Sequence, residues 1–306
     1  MMILDTSINH EFIAKLMNIA RVAGDAILKI YNAPEKINVQ IKSDDSPITE
    51  ADLAAHHIIV KALEALLPIP VISEEAVPPN FTERKTWQYY WLIDPLDGTK
   101  EFIARTGEFT VNIALVQNGE PILGVVHVPV LDETYVGVDK RIGVDKNGGA
   151  EKKSRAEKYR HGEKIMDLTT RRLDARCAAQ QSLDVLTSAR HDNAETTTLL
   201  RDMALQWPGH LQVLKVGSSL KFCWIAEGRG DFYPRLAPTS EWDTAAAQVV
   251  LVAAGGVIVD AKNLKPLVCN TSEDLLNPSF FALGDTLFDW ASLLKSGSVT
   301  LSPNRK

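Results

Sequence analysis

Two aspartates stand three residues apart in the run Asp94-Pro95-Leu96-Asp97-Gly98-Thr99, directly after the apolar segment 90–93. Proline has no backbone N–H and fixes φ at about −65°, so the run predicts that a strand stops at Asp94-Pro95. Gly98 would let the backbone approach a ligand without a Cβ in the way. Two carboxylates with the Leu96 carbonyl between them suit a hard divalent cation, which prefers oxygen ligands. The alternative is an ordinary Asp-Pro turn followed by the start of a helix.

Other acidic residues lie at predicted ends of secondary-structure elements, from which they could converge on the Asp94 motif. Glu74 and Glu75 close a short strand. Because neighbouring side chains of a strand point to opposite faces, at most one of the two faces the site, and we expect it to be Glu74. Asp52 and Asp243 each lie in the first turn of a predicted helix, where helix capping is the alternative interpretation.

Apolar periodicity predicts how the first half of the chain positions these residues. A helical stripe over 12–31 and a second helix over 49–67 precede a short strand over 68–72. Residues 110–138 contain three β segments, and Asn118-Gly119 is a strong hairpin signal between the first two. Consecutive strands joined by short turns predict an antiparallel sheet, not a simple series of βαβ units.

The second half alternates strands and helices, which indicates an α/β arrangement. The predicted elements are a strand over 183–186, a helix over 194–203, a strand over 211–216, helices over 218–227 and 242–254, and a strand over 257–259. We therefore expect an N-terminal α+β domain over 1–180, with the antiparallel sheet and the metal site. A smaller C-terminal α/β domain over 181–306 would complete the substrate site.

The segment 139–167 interrupts this pattern. It interleaves basic and acidic residues, contains Gly148-Gly149 and shows little periodicity. We expect a mobile, solvated surface loop; a basic patch that recruits an anionic partner is the alternative.

Composition narrows the class of protein. With 306 residues, 45% hydrophobic and 24% charged, the chain is typical of a globular enzyme. A net charge of −6 argues against nucleic acid polymers as partners, since proteins that bind them are normally basic. Three cysteines without close spacing indicate a reducing compartment. Neither a signal-peptide pattern nor an apolar run of ~18 residues, as an integral membrane segment needs, is present. We expect a cytoplasmic protein, with peripheral association with the inner face of the membrane left open and no oligomeric state specified.

Four separated blocks occur in an order that resembles the inositol monophosphatase superfamily, the lithium-sensitive magnesium phosphatases. The blocks are Asp52, Glu74-Glu75, the run from Asp94 to Thr99, and Trp242-Asp243-Thr244-Ala245-Ala246. Further segments are similar to its branch of CysQ-type 3′(2′),5′-bisphosphate nucleotidases, namely Lys100-Glu101-Phe102, Gly217-Ser218-Ser219-Leu220-Lys221-Phe222-Cys223 and Tyr233-Pro234-Arg235. The resemblance covers residues 12–284. It implies the α+β class and the layered αβαβα sugar-phosphatase fold.

The resemblance also implies two to three Mg²⁺ ions. One ion would be bound by Glu74, Asp94 and the Leu96 carbonyl, and a second by Asp94, Asp97 and Asp243. Glu74 would bridge to a third, more weakly held ion. Such ions would neutralise the carboxylates and the phosphate and would activate the attacking water.

Catalytic and substrate-binding residues follow from the same resemblance. The catalytic residues would be Asp52, Thr99 and Glu74, with Thr99 orienting the attacking water and Asp52 behind it. The residues expected to contact the substrate are Leu96, Asp97, Gly98, Thr99, His191, Ser218, Lys221, Arg235 and Asp243. For His191 the alternative is a capping or surface histidine, for Lys221 a snorkelling side chain, and for Arg235 a structural ion pair.

The activity that the resemblance implies is magnesium-dependent hydrolysis of 3′-phosphoadenosine 5′-phosphate, a small bisphosphate nucleotide, to AMP and phosphate. It would act in sulfur metabolism and be inhibited by lithium. One alternative keeps the chemistry and changes the substrate to an inositol or sugar phosphate. A second alternative is a non-catalytic sensor that binds magnesium and a nucleotide.

Overall fold

A computed structural model describes residues 8–33, 39–41, 47–142, 153–188 and 193–295. The helices in these ranges are α1 (His10–Tyr31), α2 (Glu50–Leu66), α3 (Phe81–Arg84), α4 (Thr99–Ile103), α5 (Leu173–Ala178), α6 (Ala194–Ala204), α7 (Leu220–Ala226), α8 (Ala245–Ala253) and α9 (Trp290–Lys295). None of them is long and apolar enough to cross a membrane.

The strands in the same ranges are β1 (Val39–Ile41), β2 (Pro47–Thr49), β3 (Val71–Ser73), β4 (Tyr89–Asp97), β5 (Thr110–Gln117), β6 (Glu120–Val128), β7 (Glu133–Val138), β8 (Arg155–Arg160), β9 (Glu163–Asp167), β10 (Leu183–Ser188), β11 (Leu211–Val216), β12 (Phe232–Arg235), β13 (Val257–Asp260) and β14 (Phe280–Leu283). They form a seven-stranded sheet in the order β3-β4-β5-β6-β7-β8-β9, a five-stranded sheet in the order β11-β10-β12-β14-β13, and the pair β1-β2. In the larger sheet β3 and β4 are parallel and all the other pairs are antiparallel.

Helices and sheets alternate in layers. On one face of the seven-stranded sheet, α1 and α2 bury Leu16 and Ile59 in the same core as Trp91. On its other face, α7 and α8 lie in a core that also includes one face of the five-stranded sheet. The opposite face of that smaller sheet is covered by α5, α6 and α9, where Leu199 and Trp290 are buried with Phe232. The layers therefore run αβαβα, which confirms the predicted fold class.

Two glycines allow α8 to lie directly on the large sheet. A Cβ on Gly124 of β6 would be 2.0 Å from the Ala246 carbonyl oxygen, and one on Gly137 of β7 would be 2.4 Å from the Val250 nitrogen. Such distances exclude any side chain at either position unless the helix moves away from the sheet. This close contact fixes the beginning of α8, next to Asp243.

Most predicted elements are confirmed, with boundaries that shift by a few residues. Asn118 and Gly119, with φ of 51° and 81°, form the turn between β5 and β6 as expected. The predicted helix over 242–254 is divided: Glu241–Asp243 form a 3₁₀ turn, and α8 begins at Ala245.

The expectation of a mobile loop over 139–167 is wrong for residues 155–167, which form β8 and β9 at the edge of the large sheet. The interleaved charges form pairs across the strands and with Glu227 at the end of α7. Lys158 pairs with Glu133 at 2.8 Å and also with Glu227, and Lys164 pairs with Glu157 at 2.7 Å. Residues 143–152 lie outside the described ranges.

The strand that was predicted to stop at Asp94-Pro95 continues to Asp97. Asp94 pairs with Asn112 and Asp97 with Thr110, so three steps along β4 match two along β5. A β-bulge therefore absorbs the extra residue, and proline, which has no N–H to donate, is tolerated at such a position. The bulge places the two aspartates at the end of the strand.

Candidate active site

A cleft of about 230 Å³ opens beside the end of β4 and is lined by residues of the seven-stranded and the five-stranded sheets. It collects every described site residue that the sequence predicted, except Asp52. These are Glu74, Asp94, Leu96, Asp97, Gly98, Thr99, Ser218, Lys221, Arg235 and Asp243. The predicted residue His191 lies outside the described ranges.

Three carboxylates form a tight group within the cleft. Ligand atoms of Glu74, Asp94 and Asp243 all lie within 4.8 Å of one another. Burial raises the pKa of Asp94 well above its ordinary value, and the charges of Glu74, Asp97 and Asp243 raise it further. Burial, followed by Asp97 and Glu74, has the same effect on the pKa of Asp243. The group is therefore costly to ionise in the absence of a cation.

The bulge in β4 orients Asp94 and Leu96. The Leu96 main-chain N–H donates to Asp94 Oδ1 at 3.0 Å, which fixes one carboxylate oxygen. The next turn begins α4, with Gly98 as its N-cap at a φ of 94°. A Cβ on Gly98 would also be 3.2 Å from the Glu108 carbonyl oxygen, so glycine is favoured here by backbone conformation and by packing.

Asp97 is held by three donors on one oxygen. Its Oδ2 accepts from the Ser219 amide at 2.5 Å, from Asn112 Nδ2 at 3.3 Å and from the Thr110 hydroxyl at 3.4 Å. The Ser219 hydroxyl also donates to Asn112 Oδ1 at 2.9 Å. Because Ser219 precedes α7 and the other two lie on β5, the clamp joins two layers through a single oxygen of Asp97.

Sequence reasoning missed this clamp. It selected Ser218, whereas the adjacent Ser219 makes the contacts with Asp97. One available signal was the polar pair Thr110 and Asn112 at the start of an otherwise apolar strand. Polar side chains at such positions usually have a buried hydrogen-bond partner.

Asp52 lies behind Thr99. Its Oδ2 accepts from the Thr49 N–H at 2.7 Å and hydroxyl at 2.6 Å, in the capping box of α2. Its Oδ1 accepts from the Thr99 hydroxyl at 3.1 Å, so Asp52 caps the helix and also contacts the cleft through Thr99. Burial raises the pKa of Asp52, although the hydrogen bonds from Thr49 and Thr99 oppose this.

Lys221 and Arg235 supply positive charge to the other side of the cleft. Lys221 is buried rather than snorkelling, and its Nζ donates to the Ser218 carbonyl at 2.6 Å and the Val216 carbonyl at 3.2 Å. Burial lowers the pKa of Lys221 to about 8, against the opposing charge of Asp97. Arg235 donates to the Pro238 carbonyl at 3.0 Å, and its Nε is buried without a hydrogen-bond partner in the described residues.

The donor set fits a hard divalent cation. Glu74, Asp94 and Asp243 offer only oxygen atoms, and the Leu96 carbonyl and Asp97 line the same cleft. Magnesium prefers oxygen ligands, whereas zinc sites typically include histidine or cysteine. A cation would also relieve the repulsion that raises the pKa values of Asp94 and Asp243.

Comparison with known proteins places the chain in a family. The model of the inositol monophosphatase family matches residues 8–282. The chain belongs to the inositol monophosphatase family. It is 43% identical over 267 residues to the 3′(2′),5′-bisphosphate nucleotidase CysQ of Shigella flexneri, covering 87% of this chain and 97% of that protein. CysQ of Haemophilus influenzae is 35% identical over 291 residues, covering 94% and 98%.

A solved structure agrees with both the fold and the branch. The crystal structure of CysQ from Bacteroides thetaiotaomicron, described as a bacterial member of the inositol monophosphatase family, superposes with a TM-score of 0.71. It is 37% identical in sequence and covers 90% of this chain and 97% of that one.

Proposed function

We propose that this member of the inositol monophosphatase family is a magnesium-dependent 3′(2′),5′-bisphosphate nucleotidase that hydrolyses 3′-phosphoadenosine 5′-phosphate to AMP and phosphate. The observation that carries the proposal is the carboxylate group of Glu74, Asp94 and Asp243 facing Lys221 and Arg235 across one cleft. The names of the CysQ relatives support the nucleotide as substrate.

The acidic side of the cleft would hold the cations. Glu74, Asp94, Asp243 and the Leu96 carbonyl would be ligands, with Asp97 contributing the oxygen that its clamp leaves available. Bound magnesium ions, two to three in our proposal, would supply positive charge for the phosphate and acidify the attacking water. The 3′-phosphate would thereby be held with its phosphorus open to in-line attack.

Thr99 and Asp52 would remove the proton from that water. The Thr99 hydroxyl donates to Asp52 Oδ1, so its lone pairs are available to accept a hydrogen bond from water in the cleft. As the water oxygen bonds to phosphorus, its proton passes to Thr99 while the Thr99 proton passes to Asp52. The bond between phosphorus and the 3′-oxygen breaks as the new bond forms, and the departing 3′-oxygen takes a proton from water in the cleft, which gives AMP and phosphate. A raised pKa makes Asp52 a better proton acceptor.

Lys221 and Arg235 would bind the second phosphate, which the cations do not reach. Lys221 Nζ has three donors and uses two on main-chain carbonyls, and Arg235 is a second cationic side chain that lines the same cleft. An inositol monophosphate has no second phosphate to use these charges. We include Ser218 in this part of the site because it lines the cleft next to Lys221.

We further propose that the enzyme acts in the cytoplasm, within sulfur metabolism. All three cysteines, Cys177, Cys223 and Cys269, are free thiols, which supports a reducing compartment. Peripheral association with the membrane stays a prediction.

The decisive experiment measures phosphate release from 3′-phosphoadenosine 5′-phosphate, inositol 1-phosphate and fructose 1,6-bisphosphate side by side, with magnesium and then with lithium added. We expect a preference for the nucleotide of about 100-fold in kcat/KM, or ~2.7 kcal/mol of transition-state discrimination. We also expect EDTA to abolish turnover and lithium to inhibit it. Preference for a sugar phosphate would overturn the substrate assignment, and binding of magnesium and nucleotide without turnover would indicate a sensor.

A further inference from the structure

A buried arginine outside the cleft connects the segments that carry Glu74 and Asp243. Arg84, at the end of α3, is 1% exposed. Its Nε donates to the Pro79 carbonyl at 3.2 Å, on the segment that follows Glu74. Its other nitrogens donate to Asn270 Oδ1, to the Ser272 carbonyl at 2.8 Å and to the Glu273 carbonyl.

Asn270 links Arg84 to Glu241 by hydrogen bonds. Its Nδ2 donates back to the Arg84 carbonyl at 2.7 Å, so Asn270 and Arg84 bind each other in both directions. Its main-chain N–H donates to both carboxylate oxygens of Glu241, at 2.8 and 2.9 Å. Asn270 has a φ of 58°, a left-handed conformation that asparagine and glycine adopt more easily than other residues.

Glu241 lies in the same short turn as Asp243. The 3₁₀ turn Glu241–Asp243 carries both residues, and Glu241 is 3% exposed. The Glu241 main-chain N–H also donates to the Leu275 carbonyl at 2.8 Å, which ties the turn to the same loop as Asn270. Rotation of this turn would move the Asp243 carboxylate relative to Glu74 and Asp94.

We propose that Arg84, Asn270 and Glu241 are positioning residues that set the spacing of the carboxylate group. The inference rests on the proposed function, because it assigns the spacing to the binding of divalent cations. The three carboxylates come from three different segments, and the Arg84 guanidinium binds both the segment after Glu74 and the loop that holds Glu241. Partners of this kind, which do not touch the metal, orient its ligands and tune affinity.

The test uses the variant Asn270→Gly in the full chain. Glycine retains the left-handed backbone and the main-chain N–H to Glu241, but loses both side-chain bonds to Arg84. Direct titration with Mn²⁺, followed by electron paramagnetic resonance, should show affinity weakened by about ten-fold. In the phosphatase assay the magnesium concentration for half-maximal rate should rise by a similar factor, while kcat at saturating magnesium stays within about two-fold.

Ser272→Ala is the matched control. Within the described ranges its hydroxyl donates only to Asp274, whereas Arg84 uses its main-chain carbonyl, which the variant retains. We expect wild-type Mn²⁺ affinity. If Asn270→Gly fails to fold, Glu241→Gln keeps the shape and one acceptor oxygen, and should weaken Mn²⁺ binding in the same direction.

Two outcomes would overturn the inference. One is Mn²⁺ affinity unchanged in a folded Asn270→Gly or Glu241→Gln protein, even with a lower melting temperature, because the network would then serve stability alone. The other is equal weakening by Ser272→Ala. Failure of the proposed function is separate, since it would appear as wild-type protein that binds Mn²⁺ normally but releases no phosphate from the bisphosphate nucleotide.

Discussion

Asp52 divides its two carboxylate oxygens between a helix cap and the cleft, and Asp243 is shared in a similar way. The Ser240 N–H donates to Asp243 Oδ2 at 2.9 Å in a second capping box, while the same carboxylate belongs to the acidic group. Because a carboxylate has about four lone-pair sites, a cap occupies only part of its capacity. Capping also fixes the orientation of the side chain, which a site requires.

Replacing Thr99 by valine separates these two roles of Asp52. Valine has the shape of threonine without the hydroxyl, and Asp52 keeps both bonds from Thr49. We expect kcat to fall by about 100-fold because the proton relay is interrupted, and the free energy of unfolding to change by only ~1 kcal/mol. Steady-state kinetics and urea unfolding would check this. Unchanged kcat with normal folding would exclude Thr99 from proton transfer.

Replacing Lys221 by methionine tests whether Lys221 binds the second phosphate of the substrate. Methionine fills the buried space without the ammonium. We expect KM for 3′-phosphoadenosine 5′-phosphate to rise by about ten-fold or more, ~1.4 kcal/mol, and KM for adenosine 3′-monophosphate to change little. Both values are to be measured at saturating magnesium, with thermal melting as a check of folding. An equal effect on the two substrates would contradict the assignment.

At the scale of secondary-structure elements, the sequence predicted those whose apolar side chains recur at a regular spacing. It did not predict the hairpin whose charged side chains pair across the strands. The stripe that buries Leu16 and Ile27 predicted α1, because one helical face meets the core. The β8–β9 hairpin lacks such a signal: all five residues of β9 are exposed, and charge pairs such as Lys164–Glu157 link the strands. Its turn, His161-Gly162, has φ of 52° and 78°, but His-Gly is a weaker signal than Asn-Gly.

Part of the candidate site could also be predicted from the sequence, and part could not. Carboxylates at element ends could be proposed as candidates from residue type and position, and the family resemblance of the four ordered blocks then selected among them. The Asp97 clamp was not, since Ser219 is 122 residues from Asp97 along the chain and contacts it only after the layers pack. The same holds for Arg84 and Asn270, which are 186 residues apart.

Because α8 lies directly on the large sheet, a side chain at Gly124 should destabilise the fold. Gly124→Ala places a Cβ against the Ala246 carbonyl, so we expect a loss of about 3 kcal/mol in the free energy of unfolding. The control is Gly162→Ala, where nothing lies within 4 Å of the added Cβ and the φ of 78° alone costs ~1 kcal/mol. Urea unfolding measures both. Similar losses in the two variants would show that α8 can move away from β6 at little cost.

At the scale of the whole molecule, the layers converge on a group of like charges. Asp94 comes from the large sheet and Asp243 from the turn before α8, and packing of these layers buries Asp94 and half-buries Asp243. Buried like charges destabilise the folded state. Without a cation, the fold therefore bears an electrostatic cost that a bound cation would offset, and metal binding should be linked to stability.

Raising the pH should destabilise the metal-free protein. The pKa of Asp94 in the folded protein lies well above its ordinary value of 3.8, so the folded state retains a proton that the unfolded chain has already released. The free energy of unfolding of the metal-free protein should therefore fall as pH rises toward and through that raised pKa, by up to about 1.4 kcal/mol per pH unit for each such proton. Saturating magnesium, which holds the carboxylates ionised, should flatten this dependence.

Asp94→Asn provides the comparison, because it has no charge at this position to accommodate. Its metal-free form should melt above the metal-free wild type at about pH 8 and depend less on pH, while it gains little stability from magnesium and loses activity by about a thousand-fold. Melting is best compared from about pH 6.5 upward, because burial lowers the pKa of His127 to about 4, and that residue destabilises the fold as pH falls below about 6.5. A metal-free wild-type protein that is no less stable at pH 8 than metal-free Asp94→Asn would contradict the idea that these carboxylates destabilise the fold until a cation binds.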